Sequence, residues 1–149
     1  MRKKIVAAAS FGGHWIQLLR LKKLLDQHTT TYVSTNRELG EFIPDNNFYC
    51  VRDSAAENKL GLLITFTQAL FIIIKVRPDI VISTGAAPGL AFVFWGRIFG
   101  AKTIWLDSVA NAEEMSRSGR IAKRYSSLWL SQWPDVAEVH GASYLGRVI

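Results

Sequence analysis

The sequence predicts a doubly wound α/β domain, a Rossmann-like fold with a mostly parallel sheet covered on both faces. Short apolar or β-branched runs alternate with helical segments along the chain, and a glycine-marked turn twice closes a run and opens a helix. Size is the third observation. At 149 residues, 49% of them hydrophobic, the chain has room for one domain with a substantial core and none for a second, so residues 1–149 are expected to form a single unit. Parallel strands joined by right-handed helical crossovers bring their carboxyl ends to one rim, where ligands bind.

Residues 5–10, Ile-Val-Ala-Ala-Ala-Ser, form the first apolar run and lead into Gly12-Gly13. From Trp15 the apolar positions Trp15, Leu18, Leu21 and Leu25 recur at helical spacing, so the turn opens a helix. Residues 29–34 and 48–52 have the β-branched and aromatic content of short strands. Residues 60–76 are helical by length and composition, and Pro78 stops that helix ahead of a strand over 79–83, closed by Gly85. Pro88 suits the first turn of a helix running to Phe99, with Gly100 as its stop. A further strand covers 102–107, and residues 127–131 supply the last.

Composition narrows the function classes. The apolar content excludes disorder, and the lack of a repeat period excludes a solenoid. Eighteen Lys and Arg against twelve Asp and Glu leave a net charge of +6, which favours nucleic acid, acidic lipid headgroups or phosphorylated small molecules as partners. Arg117, Arg120, Lys123 and Arg124 form a basic patch, but no recognisable nucleic-acid module accompanies it, so nucleic acid is not an expected partner. The single Cys50 rules out an internal disulfide, and three scattered histidines offer no zinc-ligand spacing. No metal or other cofactor is therefore expected, and a reducing cytoplasm is the natural setting. No secretory signal is read at the N-terminus, where only five apolar residues separate Arg2-Lys3-Lys4 from Ser10 and a glycine turn. The most apolar stretch, 60–74, is shorter than the roughly 20 residues of a spanning helix. Its thin stripe of Gly61, Thr65, Gln68 and Lys75 fits either burial between the sheet and a partner or an apolar face laid into a lipid interface.

Three turns are candidates for the site. Ser10-Phe-Gly-Gly-His14 exposes backbone N–H groups at a helix start, where an anion docks without a side chain, so Ser10, Gly12 and Gly13 are candidate binding residues; a plain tight turn is the other reading. His14, in the first helical turn, is the best general-base candidate present, with capping or packing as its alternative. Ser83-Thr-Gly-Ala-Ala-Pro-Gly89 repeats the pattern, Thr84 offering a hydroxyl and Gly85 close backbone approach to a sugar or phosphate. Asp107 and Ser108 end the strand that contains Trp105. A carboxylate there can accept sugar hydroxyls, and helix capping by Asp107, Ser108 and Asn111 explains them equally well.

Taken in order, Ser10-Phe-Gly-Gly-His14, Arg77-Pro-Asp-Ile-Val-Ile-Ser-Thr-Gly85, Trp105-Leu-Asp-Ser108, Ser116-Arg-Ser-Gly119, Gln132-Trp-Pro134 and Tyr144-Leu-Gly146 make a recognisable set. The chain resembles the membrane-recruiting subunit of the two-chain N-acetylglucosaminyltransferase of dolichol-linked oligosaccharide synthesis, and more closely its bacterial relatives in capsule and exopolysaccharide synthesis. The resemblance covers nearly the whole chain. It implies the N-terminal, acceptor-side half of a split GT-B glycosyltransferase, with a separate small catalytic subunit as the other Rossmann-like half and the source of most of the nucleotide-sugar site. The implied reaction transfers a sugar from a UDP-sugar, shared with that subunit, to a lipid-linked saccharide acceptor. His14 matches the family's Gly-Gly-His histidine at the interdomain cleft, and the implied location is peripheral, on the cytoplasmic face of the membrane. Thr84 stands where the eukaryotic relatives usually carry Asn, and Asp107 where they carry Glu. The alternative from another class is a non-catalytic membrane adaptor that activates a partner bearing the whole active site.

Overall fold

A computed structural model describes residues 1–44, 46–55 and 57–148. Six strands form one sheet: β1 (Lys4–Ala8), β2 (Thr29–Ser34), β3 (Asn47–Cys50), β4 (Ile80–Ser83), β5 (Lys102–Leu106) and β6 (Leu128–Leu130). Their order is β3-β2-β1-β4-β5-β6, and every neighbouring pair is parallel. This is the doubly wound arrangement the sequence predicts. The chain begins in the middle of the sheet, builds out to one edge, crosses back and builds to the other. The direction of building reverses between β1 and β4, and a crevice opens above their carboxyl ends.

Alternation along β1 divides the core. Ile5, Ala7 and Ala9 face the helices α1 (Gly13–Leu19) and α2 (Lys22–Leu25), packing with Trp15, Leu18 and Leu25. Val6 and Ala8 face the other layer, made of α3 (Lys59–Val76), α4 (Ala86–Ile98), α5 (Arg117–Ala122) and α6 (Pro134–His140). A strand buried on both faces reads as an unbroken apolar run, which is why residues 5–9 show no polar alternation. On the first face Tyr32 is fully enclosed. Burial, together with its hydroxyl's 3.0 Å hydrogen bond to Asp26, pushes its phenol above the ordinary tyrosine range.

Several boundaries differ from expectation for local reasons. The first helix is split, because the Arg20 N–H is shared between the carbonyls of Ile16 and Gln17 and the Leu21 N–H reaches Leu18, tightening the chain before α2. β3 stops at Cys50 because Arg52 leaves the sheet for α3, its N–H donating to Gln68 Oε1 at 2.8 Å. Asp79 lies outside β4, and its carboxylate accepts the Lys4 N–H at 2.8 Å. Pro88 is the third residue of α4, which opens at Ala86.

Of the stripe on α3, Gly61 and Thr65 turn inward, Gln68 is half-buried and Lys75 is exposed. Gly61, Thr65 and Ala69 are buried against the body, Thr65 Oγ1 making hydrogen bonds to the carbonyls of Arg52 and Gly61. Leu60, Leu63, Phe71 and Ile74 point outward, 68%, 63%, 66% and 44% exposed. By length and composition alone α3 could cross a bilayer, with 18 residues of mean hydropathy 1.8, of which 22% are buried. It lies instead along α4, whose Trp95 donates from Nε1 to the Phe66 carbonyl at 2.9 Å. The domain's own core takes Ala69, Ile72 and Ile73 of this helix and leaves Leu60, Leu63, Phe71 and Ile74 outside it.

Candidate functional site

The turns after β1 and β4 grip each other across the crevice. Thr84 Oγ1 donates to the His14 carbonyl at 2.6 Å, and His14 Nδ1 lies 3.1 Å from the Thr84 carbonyl. A carbonyl oxygen only accepts, so Nδ1 must carry the proton of this hydrogen bond. Nε2 is then the ring nitrogen with a free lone pair, which is the tautomer a general base needs. This pairing joins residues 70 positions apart and orients the imidazole through backbone alone.

Gly85 makes the grip possible. Its φ of +137° with ψ of 178° lies in a region practically reserved for glycine, and a Cβ there would stand 2.7 Å from His14 Cε1. Ala86 follows at φ +70°, a left-handed conformation that costs a residue with a Cβ roughly 1–2 kcal/mol. Two unfavourable backbone conformations thus sit beside one half-buried histidine.

Beside His14 opens a cleft of about 340 Å³, lined among others by Ala86, Ser108, Asn111, Ser116 and Arg117. The turns after β1, β4 and β5 therefore converge on one rim, as the parallel topology requires. His14 and Ser108 border the space. Gly12 and Gly13 are exposed, with open room where side chains would stand, so the backbone of their turn is accessible. Ser10 is buried at the end of β1.

Thr84 and Asp107 do not offer the direct substrate contacts expected of them. Thr84 is fully buried and its hydroxyl proton is committed to His14. Asp107 is 1% exposed, and its two oxygens accept from Trp105 Nε1, Asn111 Nδ2 and both the N–H and hydroxyl of Ser116. The carboxylate holds the loop 107–116 closed, which carries Ser116 and Arg117 to the cleft. Both residues position the wall from behind.

The sequence reading missed a buried amide relay under that wall. Gln17 Nε2 donates to Ser108 Oγ at 3.1 Å, and Gln17 Oε1 accepts from the Val109 N–H and from Gln132 Nε2, the latter at 2.7 Å. Gln132 also donates to the Asp107 carbonyl, and its Oε1 accepts the Val148 N–H at 2.7 Å. Gln17 had a signal of sorts: it stands one turn beyond His14 on the side of α1 that carries Leu18 and Trp15, a polar residue at a buried register. Gln132 had none. Arg117, which the sequence places in a basic patch with Arg120, Lys123 and Arg124, reaches the cleft because Ser116 is anchored on Asp107.

Residues 46–148, more than half of the chain, match the family described as "Oligosaccharide biosynthesis protein Alg14 like". The chain is similar to the mouse UDP-N-acetylglucosamine transferase subunit ALG14, 28% identical over 85 residues, or 52% of this chain and 39% of that protein. Its human counterpart is 31% identical over 85 residues, with the same shares covered. The matched segments span less than half the length of these curated relatives. Among solved structures, Acinetobacter baumannii MurG superposes on 90% of the chain with a TM-score of 0.73 at 16% identity, using 43% of its own length. A glycosyltransferase from Rickettsia africae superposes on 95% with a TM-score of 0.67 at 18% identity, using 41% of its length. At such identities the likeness is one of fold, a Rossmann-like unit that makes up less than half of each larger protein. With β3 to β6, the helices between them and the C-terminal segment all matched, the chain belongs to the Alg14-like family of oligosaccharide biosynthesis proteins.

Proposed function

We propose that this chain is the acceptor-side half of a two-chain GT-B glycosyltransferase, which moves a sugar from a UDP-sugar to a lipid-linked saccharide when a small catalytic subunit closes over it. The observation that carries the reading is the reciprocal His14–Thr84 pair at the β1/β4 crevice, which leaves Nε2 as the free base beside a cleft with walls from one domain only. The family relationship supports the reaction class, and the likeness in fold to one unit of a larger glycosyltransferase supports its place as one half of a GT-B enzyme.

In the reaction, Nε2 of His14 takes the proton of the acceptor hydroxyl as its oxygen attacks the anomeric carbon. The new carbon–oxygen bond forms as the bond to the diphosphate breaks, and UDP leaves with that electron pair, inverting the anomeric centre. The Thr84 carbonyl, already bonded to Nδ1–H, stabilises the imidazolium that results. Arg117 on the cleft wall counters developing negative charge. The backbone of Gly12 and Gly13, without side chains, lets the acceptor lie close against the rim.

The complex works on the cytoplasmic face of the membrane, held there peripherally. The outward apolar stripe of α3 supports this, bordered by the exposed cations Lys59, Lys75, Arg77 and Arg97.

Reconstitution of the chain with its partner subunit, a UDP-sugar and a lipid-linked acceptor tests the reading. His14→Ala is expected to lower turnover by about 10²–10⁴-fold with the complex intact. Unchanged turnover removes His14 from the chemistry, and full turnover by the partner alone on a soluble acceptor replaces the split enzyme with an adaptor.

A further inference from the structure

A second polar cavity opens on the same rim, at the carboxyl ends of β2 and β3. It measures about 400 Å³ and is lined by Thr35, Arg37, Cys50, Arg52 and Asp53, with Ile64 and Gln68 from α3. Arg37 opens a 3₁₀ turn whose preceding residue, Asn36, accepts the Glu38 N–H through its side chain at 3.0 Å. Arg52 is fastened to α3 by its backbone, through Gln68 on one side and Thr65 on the other. Its side chain lies over the first turn of the helix, where a Cβ on Gly61 would stand 3.3 Å from Nε. Among the described residues no carboxylate lies within ion-pairing distance of either guanidinium, and the one acid on the cavity wall, Asp53, leaves it a net positive charge.

Its neighbours say what would fill it. On one side is the glycine turn of the first site, joined by the Phe11 N–H donating to Thr35 Oγ1 at 3.0 Å. On the other is the apolar outer face of α3, which Ile64 joins to the cavity and Leu60, Leu63 and Phe71 continue. Along the rim the order is thus base and cleft, bare backbone, two arginines, apolar stripe. Strands in a sheet lie about 4.8 Å apart, so the end of β1 that leads to His14 stands about 5 Å from the strand end that leads to Arg37 and about 10 Å from the one that leads to Arg52. A molecule following this track has a hydroxyl-bearing sugar at one end, an anion one short saccharide away and a long apolar chain beyond it.

We infer that the Arg37–Arg52 cavity holds the diphosphate of the lipid-linked acceptor and directs its hydrocarbon chain onto α3. The inference rests on the proposed transferase reading for the identity of the acceptor, and it adds where that acceptor's charge and lipid lie. Two arginines on one cavity suit this group, because each planar guanidinium can present two donors to phosphate oxygens.

Binding of the full chain to vesicles, with neither donor nor partner present, separates this inference from the transferase reading. Phosphatidylcholine vesicles carrying a few mole per cent of a sugar-free polyprenyl diphosphate are compared with vesicles of equal charge made with phosphatidylglycerol. The wild-type chain should bind the diphosphate vesicles about tenfold more tightly. The double variant Arg37→Ala/Arg52→Ala should lose that preference and still bind phosphatidylglycerol, with an unchanged urea midpoint showing that it is folded. Cys50, the single cysteine, provides a second readout: its alkylation should slow with the diphosphate lipid and stay constant with phosphatidylglycerol. Equal binding of both vesicles by the wild type, a preference that survives in the double variant, or equal Cys50 protection by both lipids overturns the assignment. None of these outcomes depends on His14 or on turnover.

Discussion

At the scale of single residues, the site depends on atoms that never touch a substrate. His14 is aimed by a backbone carbonyl, and Gly85 exists to let that carbonyl and the imidazole approach. Gly85→Ala must adopt a conformation costing about 1–3 kcal/mol and press a methyl group on the histidine ring. Urea unfolding should register a loss of that size, and turnover of the reconstituted complex should fall even below the denaturation range, because the displaced ring no longer presents Nε2. Asp107 teaches the complementary lesson. A carboxylate at the end of a strand looks free in a sequence, but four internal donors enclose it, and what it contributes to the rim is the position of Ser116 and Arg117.

Elements make a different kind of choice, and α3 makes the most consequential one. Its inward face is small and partly polar at Gly61, Thr65 and Ala69 and apolar at Ile72 and Ile73, while Leu60, Leu63, Phe71 and Ile74 face out. Apolar area left exposed costs free energy that only a lipid or protein surface can recover, about 1.5–3 kcal/mol for each large side chain fully covered. The double substitution Leu63→Lys/Phe71→Ser touches no core residue, so unfolding in urea should shift by no more than about 0.5 kcal/mol per site. Flotation with anionic vesicles should drop about tenfold or more. Undiminished flotation of the folded variant would mean that this face is not what meets the membrane. The basic residues at the helix ends contribute a smaller, salt-sensitive attraction, so the wild-type chain should also float less well as ionic strength rises.

For the molecule as a whole, the relay through Gln17 and Gln132 ties α1, the β5 and β6 loops and the C-terminal segment behind the cleft. It is buried, and its members share hydrogen bonds, so it should behave cooperatively. Gln132→Leu takes a hydrogen-bond partner from the Gln17 amide oxygen, the Asp107 carbonyl and the Val148 N–H, and should destabilise the fold by at least about 2 kcal/mol, measured by urea unfolding. If the loss is within experimental scatter, the relay does not hold the rim together.

Element order, the strand–turn–helix junctions and the two-sided burial of the central strands were legible from the amino-acid sequence, because each depends on neighbours a few residues apart: Ile5 to Ala9 as an unbroken apolar run, Pro78 as a stop, Gly85 at a strand end. These local patterns, with the parallel topology they imply, also determined that the turns bearing Ser10 to His14, Thr84 and Asp107 share one edge. Only the tertiary structure decided which way side chains point across that edge. An almost uniformly apolar helix such as α3 has no periodicity to say which face is inward, and the inward turn of Asp107 depends on Ser116, nine residues on, which folds back over it. The pairing of Gln17 with Gln132, 115 residues apart, and the meeting of Arg37 and Arg52 at one cavity arise from strand order, which spacing along a chain does not encode.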